Sequence, residues 1–171
     1  QRAGRMEEAL KTFQAATAKD PGNVVGYVAL GEFYLTRAER DQAEATFQTT
    51  ITRLPWEADG YLNLGQLREV LGDQKAARAQ YQLAAALQPR QAAPALAALA
   101  HLALTQGNYA EAEALYKQAI VTDSSWILSL GQLYQAQGRY DEARAQFELA
   151  TTRLTVQNQS DALVALALLS L

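Results

Sequence analysis

Apolar side chains return every three or four positions through most of the chain: Tyr27, Leu30 and Tyr34; Leu130 and Tyr134; Phe47, Ile51 and Leu54. That spacing lays one stripe along an α-helix, so the pattern predicts amphipathic helices. Gly72-Asp73, Gly107-Asn108 and Gly138-Arg139 interrupt the stripes. A chain leaving one helix needs a residue tolerant of positive φ at such points. Pro21, Pro55 and Pro89 disfavour helix in the residue before each and close the next helix on schedule. Ten helices are predicted, over residues 5–19, 24–37, 40–53, 57–71, 74–87, 92–105, 109–121, 126–137, 140–154 and 160–171.

The same prolines set a period, since 55 − 21 and 89 − 55 are both 34. A fixed interval of this size signals a repeat array. Aligned on it, Tyr27, Leu30, Gly31, Tyr34, Ala43, Phe47 and Pro55 lie over Tyr61, Leu64, Gly65, Arg68, Ala77, Tyr81 and Pro89. The frame continues upstream through Ala9, Phe13, Ala16 and Pro21. Downstream it runs through Leu96, Leu99, Ala100, Ala112, Tyr116 and Ala119, then Ile127, Leu130, Gly131, Tyr134, Ala143, Phe147 and Ala150. In this order of aromatic, Leu-Gly, Tyr, Ala, aromatic and Pro the chain resembles the tetratricopeptide repeat. The resemblance covers essentially all of it and implies an all-α fold, a right-handed α-α superhelix of about five helix-turn-helix repeats. The expected organisation is one array: a second helix over 1–22, repeats over 23–56, 57–91, 92–123 and 124–157, and a first helix over 158–171. Residue 1 is Gln, and a fragment of a larger protein is the simplest account of that start.

Four details qualify the pattern. Gly31, Gly65 and Gly131 fall inside helices, where glycine costs about 1 kcal/mol relative to alanine, so a close helix approach is expected there. Ala9, Ala43, Ala77, Ala112 and Ala143 are the residues expected to face them. Ala38 stands where the other turns have glycine, and Arg68 stands where Tyr34 and Tyr134 are aromatic; Arg68 is expected to lay its stem across the core. Ala119 to Ile127 is 8 residues where Ala16 to Tyr27 is 11, so either the connection at Asp123 to Trp126 is tighter or residues are missing from it.

Composition narrows the chemistry. Alanine supplies 34 of 171 residues, which favours helix, and there is no cysteine, which excludes disulfides, zinc-thiolate sites and a thiol nucleophile. A net charge of −3 lacks the basic excess that nucleic-acid phosphates demand. His101 has no second histidine or carboxylate at ligand spacing, so no metal is expected. The acids Glu7-Glu8, Glu111 with Glu113, and Asp141-Glu142 open second helices, where they complement the helix dipole. Ser124-Ser125 lacks a base, and no glycine-rich phosphate loop exists. Neither enzyme activity nor a cofactor is expected.

The resemblance implies that first helices line a concave groove holding a peptide. Alignment places there Val25, Val28, Glu32 and Leu35; Asp59, Leu62, Gln66 and Glu69; Pro94, Ala97, His101 and Leu104; Ser125, Leu128, Gln132 and Gln135; and Asp161, Val164 and Leu168. That set holds no lysine or arginine, and Asn63 has no asparagine at the matching places. The carboxylate-clamping and asparagine-ladder modes of the family are therefore disfavoured. The expectation is a protein-protein interaction scaffold, bacterial from its Ala, Leu and Gln richness, for a neutral to slightly basic segment with aliphatic anchors. Two alternatives are a periplasmic structural arm of an exopolysaccharide export complex and a regulatory array of a larger enzyme. The compartment is cytoplasmic or periplasmic. Residues 160–171 are apolar nearly all round yet too short to cross a bilayer, so self-association through them is expected.

Overall fold

The computed structural model describes residues 2–153 and 155–169. Among them are ten α-helices and no strand. The chain divides into two compact units, Gln1–Pro89 and Arg90–Leu171. The first unit contains α1 (Arg2–Lys19), α2 (Val24–Thr36), α3 (Arg40–Arg53), α4 (Ala58–Val70) and α5 (Gln74–Leu87). The second contains α6 (Ala93–Thr105), α7 (Tyr109–Thr122), α8 (Ile127–Ala136), α9 (Tyr140–Arg153) and α10 (Val156–Leu169).

Most ends fall within a residue of expectation. The exceptions are α1, which starts three residues before residue 5, and α10, which starts four before residue 160. No glycine or proline interrupts either stretch except Gly4, so nothing breaks the helix there. The ends expected at Leu154 and Leu171 lie outside the described residues.

Local chemistry sets the boundaries. Asn23 Oδ1 caps α2 by accepting from the N–H groups of Val25 at 3.0 Å and Gly26 at 3.4 Å, and Asp73 Oδ1 caps α5 by accepting from Ala76 at 3.0 Å. The turns α4–α5, α6–α7 and α8–α9 place Gly72, Gly107 and Gly138 at φ of 82°, 75° and 73°. Each helix then closes with the same bond, Asp73 N–H to Arg68 C=O at 2.9 Å, Asn108 to Ala103 at 2.8 Å and Arg139 to Tyr134 at 2.9 Å. The α2–α3 turn makes the matching bond, Glu39 to Tyr34 at 3.0 Å, with Ala38 at φ 59°.

Inside the first unit α2 packs on α3 and α4 on α5, while α1 meets α2 and α3 meets α4. Phe13 and Phe33 tilt together at 5.5 Å between α1 and α2, and Ala43, Phe47, Leu64 and Leu67 form a buried cluster. In the second unit α6 packs on α7, α8 on α9, and α9 on α10. Its core joins Ala100, Ala112, Tyr116, Leu130, Tyr134 and Phe147, with a smaller cluster of Ile127, Ala150 and Ala162.

Aromatic rings, not alanines, oppose the helical glycines. A Cβ on Gly65 would meet Tyr81 Cε1 at 2.5 Å, and Gly31 and Gly131 stand in the same relation to Phe47 and Phe147. The alanines Ala43, Ala77, Ala112 and Ala143 are fully buried in the second helices. At the place held by Tyr34 and Tyr134, the Arg68 guanidinium pairs with Glu44 on α3. The short connection is a 3₁₀ turn, Ser124–Trp126, with Asp123 Oδ1 accepting from Ser125 N–H at 2.9 Å. Helix α8 is accordingly 10 residues long where α2, α4 and α6 have 13.

Candidate partner-binding groove

Each unit presents its own set of first-helix residues. In the second unit Leu128, Gln132 and Gln135 of α8 meet Asp161, Val164, Ala165 and Leu168 of α10 around an open cavity of about 390 Å³. Val164 and Leu168 remain 58% and 59% exposed, a high value for aliphatic side chains with neighbours so close. Asp161 is the one charged group in that lining. Six of these seven residues are groove positions predicted from the repeat register; Ala165 is the addition.

The remaining second-unit positions separate. Pro94 and His101 are exposed on α6, Leu104 packs against the core, and Ser125 lies in the 3₁₀ turn. Ala97 is a correction to the predicted lining. It is only 4% exposed and belongs to the core with Ala100 and Tyr116, because a lone methyl does not reach out of the helix interface.

In the first unit Leu35 and Gln66 share a cavity of about 320 Å³ with Ala38, Arg40, Leu67 and Val70. Val25, Val28, Glu32, Asp59, Leu62 and Glu69 lie outside it. Val25 is exposed, and burial followed by the charge of Glu57 raises the Asp59 carboxyl above its usual range. Glu69 is held by the core, since Tyr81 Oη donates to its Oε2 at 2.7 Å. Burial, then this bond, pushes the Tyr81 phenol upward.

Sequence reasoning missed Arg40 and Val70. Arg40 opens a second helix, in the register shared by Gln74, Tyr109 and Tyr140, and Val70 ends the first helix α4 one residue past the aligned place Glu69. That shared register, with Tyr109 and Tyr140 exposed at the same place, was the available signal.

A second polar cluster ties α7, α8 and α9. Glu113 accepts from Arg139 Nη1 and Lys117 Nζ, each at 2.6 Å, and from Tyr134 Oη at 3.0 Å. Arg139 lies 4.2 Å from the Tyr134 ring centroid and also pairs with Glu142. The bonds from Arg139 and then Lys117 hold the Glu113 carboxyl down at about 2. Glu113 thus does more than complement a helix dipole. Among the described residues no group of three or more His, Asp or Glu side chains could hold a metal ion, and no helix is long and apolar enough to cross a membrane.

Helical hairpins repeated in register, each burying an alanine and an aromatic ring, define a helical-repeat protein. The chain belongs to the tetratricopeptide repeat family, whose models match residues 2–55, 58–91 and 97–155. No curated protein matches it significantly. Among solved structures it is similar to a thermophilic tetratricopeptide protein of Thermus thermophilus, at 24% identity over 97% of this chain and 93% of that one, with a TM-score of 0.76. Yeast Tom70 is similar at 22% identity over 98% of this chain and 36% of that one, TM-score 0.83. PilF of Pseudomonas aeruginosa is similar at 15% identity over 98% and 82%, TM-score 0.73.

Proposed function

We propose that this chain is a non-catalytic scaffold holding a segment of a partner protein against its first-helix faces. The α8–α10 cavity carries the reading. Leu128, Val164 and Leu168 offer an aliphatic surface to an apolar anchor. Gln132 and Gln135, one helical turn apart, each supply a donor and an acceptor that suit a peptide backbone. Asp161 favours a basic side chain over an acidic one, which suits a neutral to slightly basic segment.

The test is selection from a random phage-displayed peptide library on the immobilised chain, followed by affinity measurement on variants. Leu168→Asp and Asp161→Lys are expected to weaken the selected peptides about tenfold or more, the loss of about 1.4 kcal/mol. Changes at Arg144 and Glu148, exposed on α9, should leave affinity unaltered. The opposite pattern would place binding on the second helices and end this reading.

A further inference from the structure

We propose that the cavity formed by α2, α3 and α4 is a separate recognition site, taking an internal acidic side chain that a partner protein presents beside an aliphatic one. Its chemistry differs from the α8–α10 cavity, whose charged group is an acid, and it rests on no feature of the second unit. Leu67, 2% exposed, closes the base, while Leu35 and Val70, 36% and 73% exposed, leave apolar wall open to water. The space of about 320 Å³ admits an aliphatic side chain with a carboxylate next to it.

Arg40 supplies the charge. It is the first residue of α3, where a cation opposes the helix dipole, so helix stability does not favour it there. Nearby carboxylates are engaged elsewhere: Glu39 accepts from Arg37 Nε at 2.6 Å, and Glu44 pairs with Arg68. Asp41 is adjacent in the helix, and consecutive helical residues do not face each other. Arg40 is among the residues that line the cavity, and no ion pair to it occurs among the described residues. A planar guanidinium beside an aliphatic wall matches a carboxylate carried next to a branched side chain. Because the cavity opens at the surface, a partner backbone can pass over it and send only side chains in, so a chain end is not required.

The experiment titrates the isotope-labelled chain by NMR with two capped peptides, acetyl-Gly-Leu-Glu-Leu-Gly-amide and its Gln counterpart, and with the Gln peptide carrying a free C-terminal carboxylate. The Glu peptide should shift the methyls of Leu35, Leu67 and Val70, and bind about fivefold more tightly than the capped Gln peptide, the size of an exposed ion pair. Added salt should weaken the Glu peptide alone. Arg40→Gln should erase the preference without changing the circular dichroism. Equal binding of the two capped peptides, shifts confined to other residues, or a free-carboxylate Gln peptide matching the Glu peptide would each overturn the assignment. The test reads none of the α8–α10 residues, so failure of one site leaves the other standing.

Discussion

The ring of Tyr81 fills the space where a side chain at Gly65 would begin, with Cε1 2.5 Å from the ideal Cβ position. The two residues are sixteen positions apart, as are Gly31 and Phe47, and Gly131 and Phe147. The third repeat breaks the rule with Ala100 opposite Tyr116, and Tyr116 keeps 6% exposure where Tyr81, Phe47 and Phe147 have none. Gly65→Ala would gain about 1 kcal/mol of helix propensity but force an overpacked core at about 1–3 kcal/mol. We expect a net loss of roughly 1 kcal/mol, read as a lower urea midpoint. Tyr81→Ala should lose about 3–5 kcal/mol by leaving the ring's volume empty. A Gly65→Ala chain as stable as the native one would show that the ring moves aside freely.

Ala38 does with a Cβ what Gly72, Gly107 and Gly138 do without one. Its φ of 59° is a conformation that costs an L-residue roughly 1–2 kcal/mol. Ala38→Gly removes that strain and adds about 0.4–1 kcal/mol of unfolded-chain entropy, leaving a gain of about 0.5–1 kcal/mol. Gly107→Ala, in open space at φ 75°, should move stability by a similar amount the other way. Chemical denaturation of the two variants checks both signs. A destabilised Ala38→Gly chain would mean that the alanine methyl, which lines the α2–α4 cavity, contributes more than its strain removes.

The period of 34, the turn glycines and the buried alanine-aromatic pairs were legible because each depends on spacing within one hairpin. What escaped the sequence depends on where a neighbouring element lands. Ala97 occupies a groove register yet is too small to leave the core. Arg40 lines a cavity only because α4 brings Leu67 and Val70 to the same space. The partner of Arg68 could have been found. Glu44 and Arg68 are 24 apart, Glu113 and Tyr134 are 21 apart, and the difference is the three-residue deficit of the second unit's short connection.

That equivalence yields a prediction for Arg68. Tyr134 Oη donates to Glu113 at 3.0 Å, and Glu44 holds the matching place on α3. Arg68→Tyr should keep a partner for Glu44, restore an aromatic and change stability by less than about 1 kcal/mol, since the exposed ion pair it replaces is worth no more. Arg68→Glu, by contrast, sets two carboxylates together and should destabilise in a salt-dependent manner. Thermal melts in low and high salt separate the cases, and a Tyr variant as unstable as the Glu variant would refute the equivalence.

The Glu113 network makes stability depend on acid in a defined window. The carboxyl sits at about 2 in the folded chain against an ordinary value of 4.5. Between those values the unfolded chain binds more protons than the folded one, so stability falls as the pH drops from 4.5 toward 2 and is complete above 4.5. The contribution at neutral pH should be about 1 kcal/mol, because Lys117 and Arg139 are partly open to water. Glu113→Gln keeps the shape but loses the charge, and it leaves Glu142 as the remaining carboxylate paired with Arg139. Urea midpoints of the native and Glu113→Gln chains should therefore differ most above pH 4.5 and converge toward pH 2. A gap that stays constant across that range would assign the effect of Glu113 to packing and not to its charge.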